Sequence, residues 1–181
     1  MCRHYIYGMA ALLLCGCSGG PSLTDKKPTM PVTSTAFKEG EEIPKEYTAD
    51  GAGVSPPLAW SGAPKGVKSF ALICDDPDAP GKTWTHWLVW NLPPDTKDLP
   101  EHVLTEKMLP NGALQGTNDA VGIGYGGPGP PKGKPHRYFF KVYALDTVLE
   151  LKEGAKRPDV DSAIKGHVLA WGQLMGTYER K

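Results

Sequence analysis

The side chains best suited to chemistry lie in short segments, beside residues that stiffen or bend the backbone. In DDPDAP, residues 75–80, two prolines exclude a helix and hold the carboxylates of Asp76 and Asp78 in a turn. In WTHW, residues 84–87, His86 stands between tryptophans, a position typical of a buried strand. Taken alone, the first segment is typical of an acidic surface turn and the second of a core histidine.

A third segment, GYGGPGPPKGKPHRY at residues 124–138, combines five glycines with four prolines and ends on an imidazole, a guanidinium and a phenol. Consecutive amides in glycine-rich turns form concave nests that attract anions, and prolines lower the entropic cost of ordering such a loop on binding. His136 and Tyr138 alternate at the start of a predicted strand, so their side chains should point the same way. We therefore expect both side chains to converge on one small ligand.

Several other chemistries have weaker support. Residues 37–181 contain neither a GxxxxGK[ST] phosphate loop nor a G-x-S-x-G nucleophile elbow, and Ser55 lies in GVSPP, where prolines replace the required turn. No HxH, HxxxH or CxxC spacing is present, so we expect no metal site and no cofactor. Asp–His pairs can still serve acid–base chemistry, which stays an alternative, although no residue is assigned a catalytic role.

Charge and composition restrict the class of protein. Twenty basic residues balance twenty acidic ones, so a nucleic acid is not an expected partner. The 18 prolines and 22 glycines favour a loop-rich, mainly β fold over a helical bundle. The length of 181 residues suits a single domain, which we assign to residues 37–181.

The first 36 residues have a different character. Residues 1–16 join Arg3 to an apolar run that fits a secretory signal and is too short to span a bilayer. The ending LCGC resembles the bacterial lipoprotein signal, so Cys17 is predicted to be lipidated; a plain secretory signal is the alternative. Residues 17–36 would then be the lipidated cysteine and a flexible tether. We expect an exported protein anchored to the cell envelope, on the periplasmic side of the outer membrane if the cell has two membranes.

Strand signals occur around residues 69–74, 86–92 and 137–145, which are short, apolar and bounded by turn residues. Strict alternation within the second of these would place His86, Leu88 and Trp90 on one side of the strand. Cys74 ends the first apolar run and is expected to be a buried core residue. Apolar residues at helical spacing after Pro158 predict a helix over about 159–172.

Taken together, DPDAP (76–80), W-x-H-W (84–87) and GYxGPxPPxGxxHRY (124–138) resemble the phosphatidylethanolamine-binding proteins, in particular the bacterial branch related to the Raf kinase inhibitor proteins. The resemblance covers about residues 37–180. It implies a mainly β fold in which a large central antiparallel sheet packs on a smaller sheet, with a few peripheral helices.

The resemblance also implies a small pocket for phosphate-like anions. Its lining would be Asp76, Asp78, His86, His136 and Tyr138, with backbone contributed near Gly126 and Pro128. A carboxylate at an anion site can fix the tautomer of a neighbouring histidine, which would leave the other ring N–H for the ligand. The expected function is a membrane-tethered, non-enzymatic binding domain for small anionic or phosphorylated ligands such as phospholipid headgroups. The alternatives are a modulator of a partner enzyme, a protease or kinase, that docks on the pocket rim, and a hydrolase.

Overall fold

A computed structural model describes residues 28–181, in which eight strands accompany one α-helix and one short 3-10 helix. The strands are β1 Val32–Thr33, β2 Leu58–Trp60, β3 Ser69–Asp76, β4 Trp84–Leu92, β5 Asp98–Leu99, β6 Leu114–Gln115, β7 His136–Leu145 and β8 Val168–Tyr178. The 3-10 helix is Lys45–Tyr47 and the α-helix, α1, is Arg157–Ile164. None of the helices in this described range is long and apolar enough to cross a bilayer.

The strands form two antiparallel sheets. The smaller has the order β1-β2-β5, and the larger has the order β6-β4-β3-β7-β8. β3 lies at the centre of the larger sheet, and all eight of its residues are buried. A strand that is covered on both faces has an apolar run rather than an alternating pattern, as its sequence predicts. The predicted fold class, mainly β with a large and a small sheet, is confirmed.

Each face of the larger sheet has its own apolar core. The smaller sheet covers one face, where the rings of Trp60 and Phe70 lie 5.6 Å apart. Cys74 is a free, buried cysteine in this core, as expected from its apolar run. Helix α1 covers the other face with Val160 and Ile164, both fully buried. Burying a side chain of this size contributes about 1.5–3 kcal/mol, so both layers hold the sheet in place.

The prediction of a helix over about 159–172 is wrong in its second half, because α1 ends at Ile164 and β8 begins at Val168. β8 pairs with β7 along almost its entire length, and its buried residues recur every second position from Gly172 to Tyr178. Gly172 belongs to that buried series, and a side chain there would collide with the carbonyl of Met30. The glycines that weaken a helix here therefore serve the close packing of a strand.

The domain also begins earlier than predicted. β1 lies within residues 17–36, the predicted tether, and both Met30 and Val32 are buried. The amides of Thr29 and Met30 donate hydrogen bonds to the carbonyl of Trp171, at 2.9 and 3.1 Å. This mostly polar segment is therefore joined to the smaller sheet through β1 and to the larger sheet through β8. Residues 1–27, with the predicted signal and Cys17, lie outside the described part of the chain.

Candidate functional site

Three strand ends meet at one edge of the larger sheet. β4 and β7 both run antiparallel to β3, so their first residues lie beside the last residues of β3. A cavity of about 180 Å³ opens at this edge. Four of the predicted site residues line it: Asp76 from β3, His86 from β4, and His136 and Tyr138 from β7.

His86 reaches this cavity because β4 contains an irregularity. The pairing of β3 with β4 shifts between Cys74, which faces Trp87, and Asp75, which faces Thr85. The extra residue in β4 is His86, which lies on the same side as Tyr138, with ring centroids 5.2 Å apart. The prediction that His86 shares a side with Leu88 and Trp90 is therefore wrong, since a bulge inverts the alternation.

Asp119 holds the bulge from a distant loop. Its carboxylate accepts a hydrogen bond from the amide of Thr85 at 2.7 Å, and its own amide donates to the carbonyl of Thr85 at 2.9 Å. The amide of Gly126 donates to the carbonyl of His86 at 2.9 Å. Backbone groups that the irregular strand leaves unpaired are satisfied in this way, so the bulge is a built feature of the site.

Asp76 and His136 form a buried pair at the floor of the cavity. The Nδ1 atom of His136 donates to Oδ2 of Asp76 at 2.8 Å, and each side chain is only 4% exposed. The other oxygen of Asp76 accepts a hydrogen bond from the amide of Asp78 at 2.8 Å, which fixes the carboxylate. The expected carboxylate–imidazole contact is present. On a neutral ring, however, the remaining nitrogen Nε2 is an acceptor, and it donates only when the imidazole is protonated.

His86 has the same arrangement with a different partner. Its Nδ1 donates to the carbonyl of Gly126 at 2.6 Å, so Nε2 again carries the lone pair of the neutral ring. Burial lowers the pKa of His86, and this effect outweighs the Gly126 carbonyl and the nearby carboxylates of Asp76, Asp75 and Asp119, which favour the charged form. His86 is therefore neutral near pH 7.

The hydroxyl of Tyr138 is buried and has no hydrogen-bond partner among the described residues. Burial, and then the charge of Asp76, raise the pKa of this phenol far above its usual value, so it keeps its proton. A buried hydroxyl without a partner costs about 1–3 kcal/mol. A polar ligand in the cavity would remove that cost.

Three predicted residues do not line the cavity but support its walls. The carboxylate of Asp78 accepts three hydrogen bonds from Arg137, which lower its pKa to about 2. The carbonyl of Gly126 holds His86, as described above. The carbonyl of Pro128 accepts a hydrogen bond from the amide of Ala49 at 2.8 Å and so ties the glycine–proline segment to the body of the domain.

That contact accounts for part of the glycine content of residues 124–138. A Cβ atom at Gly127 would lie 2.8 Å from the carbonyl carbon of Thr48, too close for any side chain. Gly129, Pro130 and Pro131 then form a wall of the cavity, slightly later in the chain than the predicted wall near Gly126 and Pro128. The lining residues that were missed are Ala79, Pro80, Trp84, Gly129, Pro130 and Pro131, all within or next to the three segments first singled out.

Pro130 and Pro131 also border a second, more open depression of about 810 Å³. Its other walls are mostly charged, with Lys45, Asp50 and Arg180 among them. Arg180 forms a salt bridge with Asp50 at 2.7 Å and so closes one side of this depression. Within residues 28–181, no group of three His, Cys, Asp or Glu side chains is arranged to hold a metal ion.

The sequence profile of the family described as "Phosphatidylethanolamine-binding protein" matches residues 33–179. The chain belongs to this family. It is 53% identical over 151 residues to a UPF0098 protein of Methanothermobacter thermautotrophicus, an alignment covering 83% of this chain and 99% of the relative. It is also 47% identical over 169 residues to a UPF0098 protein of Pyrococcus horikoshii, covering 92% and 83%.

Solved structures agree with this family assignment. A phosphatidylethanolamine-binding protein homologue from Chlamydia trachomatis superposes with a TM-score of 0.77 at 43% identity, over 85% of this chain and 99% of that one. YbcL of Escherichia coli, described as a member of the mammalian family, superposes with a TM-score of 0.79 at 39% identity, over 84% and 99%. The resemblance to the family predicted from the three segments is thus confirmed, together with its fold.

Proposed function

We propose that this protein is a non-enzymatic binding domain whose cavity holds a small phosphorylated or otherwise anionic group, such as the phosphate of a phospholipid headgroup. The observation that carries the proposal is the buried hydroxyl of Tyr138, which has no hydrogen-bond partner within residues 28–181, beside two imidazoles that are each held through Nδ1. These three groups come from strands β4 and β7 and line one cavity of about 180 Å³.

Asp76 supports this proposal in spite of its negative charge. When His136 is protonated, its Nδ1–H donates to Asp76 and its Nε2–H becomes free to donate to an anion. The carboxylate balances the imidazolium charge, so the ring does not have to be desolvated alone. Hydrogen bonds to charged groups contribute about 1.5–3 kcal/mol each, which suits a site of this size.

Binding without catalysis is supported by the composition of the lining. Tyr138 is the one hydroxyl among the described residues that line the cavity, and its raised pKa makes it a poor nucleophile. Acid–base chemistry would have to use His86 or His136. Turnover of a phosphate or carboxylate ester that disappears in the His86→Ala and His136→Ala variants would replace binding with hydrolysis.

We further propose that the domain is held at a membrane through a lipid on Cys17. This part of the proposal rests on the signal-like residues 1–16 and on the short polar segment after Cys17. A Cys17→Ser variant should lose labelling by a radioactive fatty acid, whereas Cys15→Ser should keep it. A mature chain recovered from the cytoplasm would contradict the anchor.

Calorimetric titration with inorganic phosphate and glycerophosphoethanolamine tests the binding proposal. We expect His136→Ala to weaken binding by about tenfold or more, because a charge-assisted hydrogen bond is lost. His136→Gln keeps a donor and should lose less. His167→Ala is the control, since that imidazole pairs with Asp146 outside the cavity.

Unchanged affinity in His136→Ala would contradict the proposal. If no anion raises the melting temperature of the protein, mass action excludes a specific anion site, and a role in docking on a partner enzyme would take its place. Binding should also be stronger when the ring of His136 is protonated, because protonation turns Nε2 from an acceptor into a donor.

A further inference from the structure

We propose that the cavity selects phosphate monoesters, bound as the singly protonated monoanion, over phosphate diesters. This inference rests on the proposed function and narrows it: it names the class of phosphorylated group that the same site would take, and it disfavours phospholipid headgroups and glycerophosphoethanolamine, whose phosphate is a diester. It follows from which hydrogen-bonding groups of His86, His136 and Tyr138 are already used and which are not.

His86 presents an acceptor to the ligand. Its single ring proton is used by the carbonyl of Gly126, at 2.6 Å, so the Nε2 atom carries a lone pair. Three carboxylates act on this ring, Asp75 and Asp76 from β3 and Asp119 from the loop that holds the bulge, and all three favour its charged form. Burial nevertheless keeps the pKa of His86 below its usual value.

Tyr138 and His136 present donors. The hydroxyl of Tyr138 has no partner among the described residues, and its proton is free to point at a ligand oxygen. His136 donates from Nε2 once it is protonated, with its charge balanced by Asp76 at 2.8 Å. Asp78 acts on the same ring from the turn after β3, and its own charge is paired with Arg137. These three side chains thus offer two donors and one acceptor.

This set matches one form of phosphate better than the others. A phosphate diester has acceptor oxygens alone, so one of them would face the Nε2 lone pair of His86 without a proton between them. The monoanion of a monoester carries one P–OH group, which can donate to His86 while its other oxygens accept from Tyr138 and His136. The dianion loses that donor and adds a second negative charge beside Asp76.

The size of the cavity is compatible with this ligand class. About 180 Å³ is room for several water molecules, enough for a phosphate group and a short substituent. Pro80, Pro130 and Pro131 form part of its wall and have no amide N–H. These residues therefore cannot supply the donor that a diester would need in place of His86.

The experiment compares three ligands that differ by one group, by calorimetric titration of the full chain. Methyl phosphate at about pH 5.5 is largely the protonated monoanion, since the second pKa of a phosphate monoester is about 6. Methyl sulfate has nearly the same size and charge but no proton, and dimethyl phosphate replaces the proton with a methyl group. We expect methyl phosphate to bind about tenfold more tightly than either of the others.

Two changes should remove this preference. Raising the pH from about 5.5 to about 8 should weaken binding of methyl phosphate more than binding of methyl sulfate, because only the former loses its proton. His86→Ala should bring the three affinities to within about threefold of one another, by the loss of a single hydrogen bond. His86→Gln keeps an acceptor and should retain part of the preference, and His167→Ala should retain all of it.

The outcomes separate this inference from the proposed function. If methyl sulfate binds as tightly as methyl phosphate to the wild-type protein, the inference is wrong and the anion-binding proposal stands. If none of the three ligands binds, both fail. Should His86→Ala not fold, as judged by its melting transition, the wild-type comparison with methyl sulfate and the His86→Gln variant decide the question.

Discussion

Asp75 and Asp76 are neighbours at the end of β3, yet their carboxylates lie on opposite faces of the sheet and have opposite surroundings. Asp75 is buried between two fixed cations, with Lys141 and Arg157 both at 3.0 Å. Asp76 is equally buried, but its partner is the titratable ring of His136 at 2.8 Å. One face holds a completed ion cluster, and the other face a pair whose hydrogen-bonding capacity is only partly used.

The contrast indicates that two adjacent aspartates have different roles, Asp75 in the stability of the fold and Asp76 in the candidate site. Arg and Lys are charged at every physiological pH, so the Asp75 cluster does not change state. The imidazole of His136 can change from acceptor to donor at Nε2, and the hydroxyl of Tyr138 beside it has no partner among the described residues. We therefore expect substitutions on the first face to change stability, and those on the second to change binding.

The largest effect is expected for Asp75→Ala. Removing this carboxylate leaves Lys141 without its counter-ion and Arg157 with Asp161 alone, and breaking a buried pair in this way costs about 3 kcal/mol. Denaturant unfolding should show this loss of stability, while phosphate affinity of the folded protein stays unchanged. Asp161→Ala is the matched control: its carboxylate also pairs with Arg157 but is 37% exposed, so about 0.5 kcal/mol is expected. Similar losses in both variants would mean that the cluster is not a structural unit.

Asp76→Ala should weaken phosphate binding by about tenfold, because His136 loses the group that orients its ring and balances its charge. Its effect on stability should be smaller than that of Asp75→Ala, since no fixed cation is left unpaired. Calorimetric titration near pH 6 measures the affinity. Tighter binding would show instead that the carboxylate mainly repels the anion, and the two aspartates would then differ less than their surroundings indicate.

Asp76→Asn sharpens the comparison with a smaller change. Oδ1 of Asp76 accepts from the amide of Asp78, so the new amide NH₂ should face Nδ1 of His136 and donate to it. The ring proton would then move to Nε2, which becomes a donor without any protonation. With methyl sulfate, whose charge does not change over this range, we expect affinity near pH 8 to stay within about threefold of its value near pH 6, whereas that of the wild type falls further. A pH dependence equal to that of the wild type would contradict the assigned tautomer.

The smallest effect is expected for Arg137→Ala at the rim. Its guanidinium is half exposed and pairs with Asp78, whose pKa is lowered from 3.8 to about 2 mainly by this hydrogen bond. A lowered carboxyl pKa stabilises the folded state above pH 3.8, and that contribution is lost as the pH falls towards 2. The small difference in melting temperature between variant and wild type should therefore vanish in acid. A difference that persists near pH 2 would point to lost packing of Arg137 on Phe139 instead.

Local pattern was enough to predict β7 and its contribution to the site. Its sequence alternates from the first residue, and no bulge interrupts its pairing before Ala144, so His136 and Tyr138 share a side as the period of two requires. That Asp76 lies in the same site as these two residues could be predicted because the DPDAP segment resembles that of the family. The family itself followed from three segments in the right order.

The position of His86 could not be predicted in the same way. Its bulge is held by Asp119, 34 residues away, whose hydrogen bonds to Thr85 leave no signal in the sequence of β4. The second half of the predicted helix failed for a related reason. Positions 168, 171, 174 and 178 satisfy helical spacing. Position 172, however, must be glycine, because the backbone of Met30, 142 residues away in sequence, leaves no room for a side chain. Long-range contacts decided both cases against local pattern.

The N-terminal segment joins the larger sheet at the end that lies away from the cavity. Thr29 and Met30 are bonded to Trp171, whereas Tyr178, at the other end of the same strand, pairs with His136 at the cavity. Seven residues of extended strand separate these two points, a span of about 23 Å. The described chain therefore enters this sheet at the end opposite to the one where a ligand would enter the cavity.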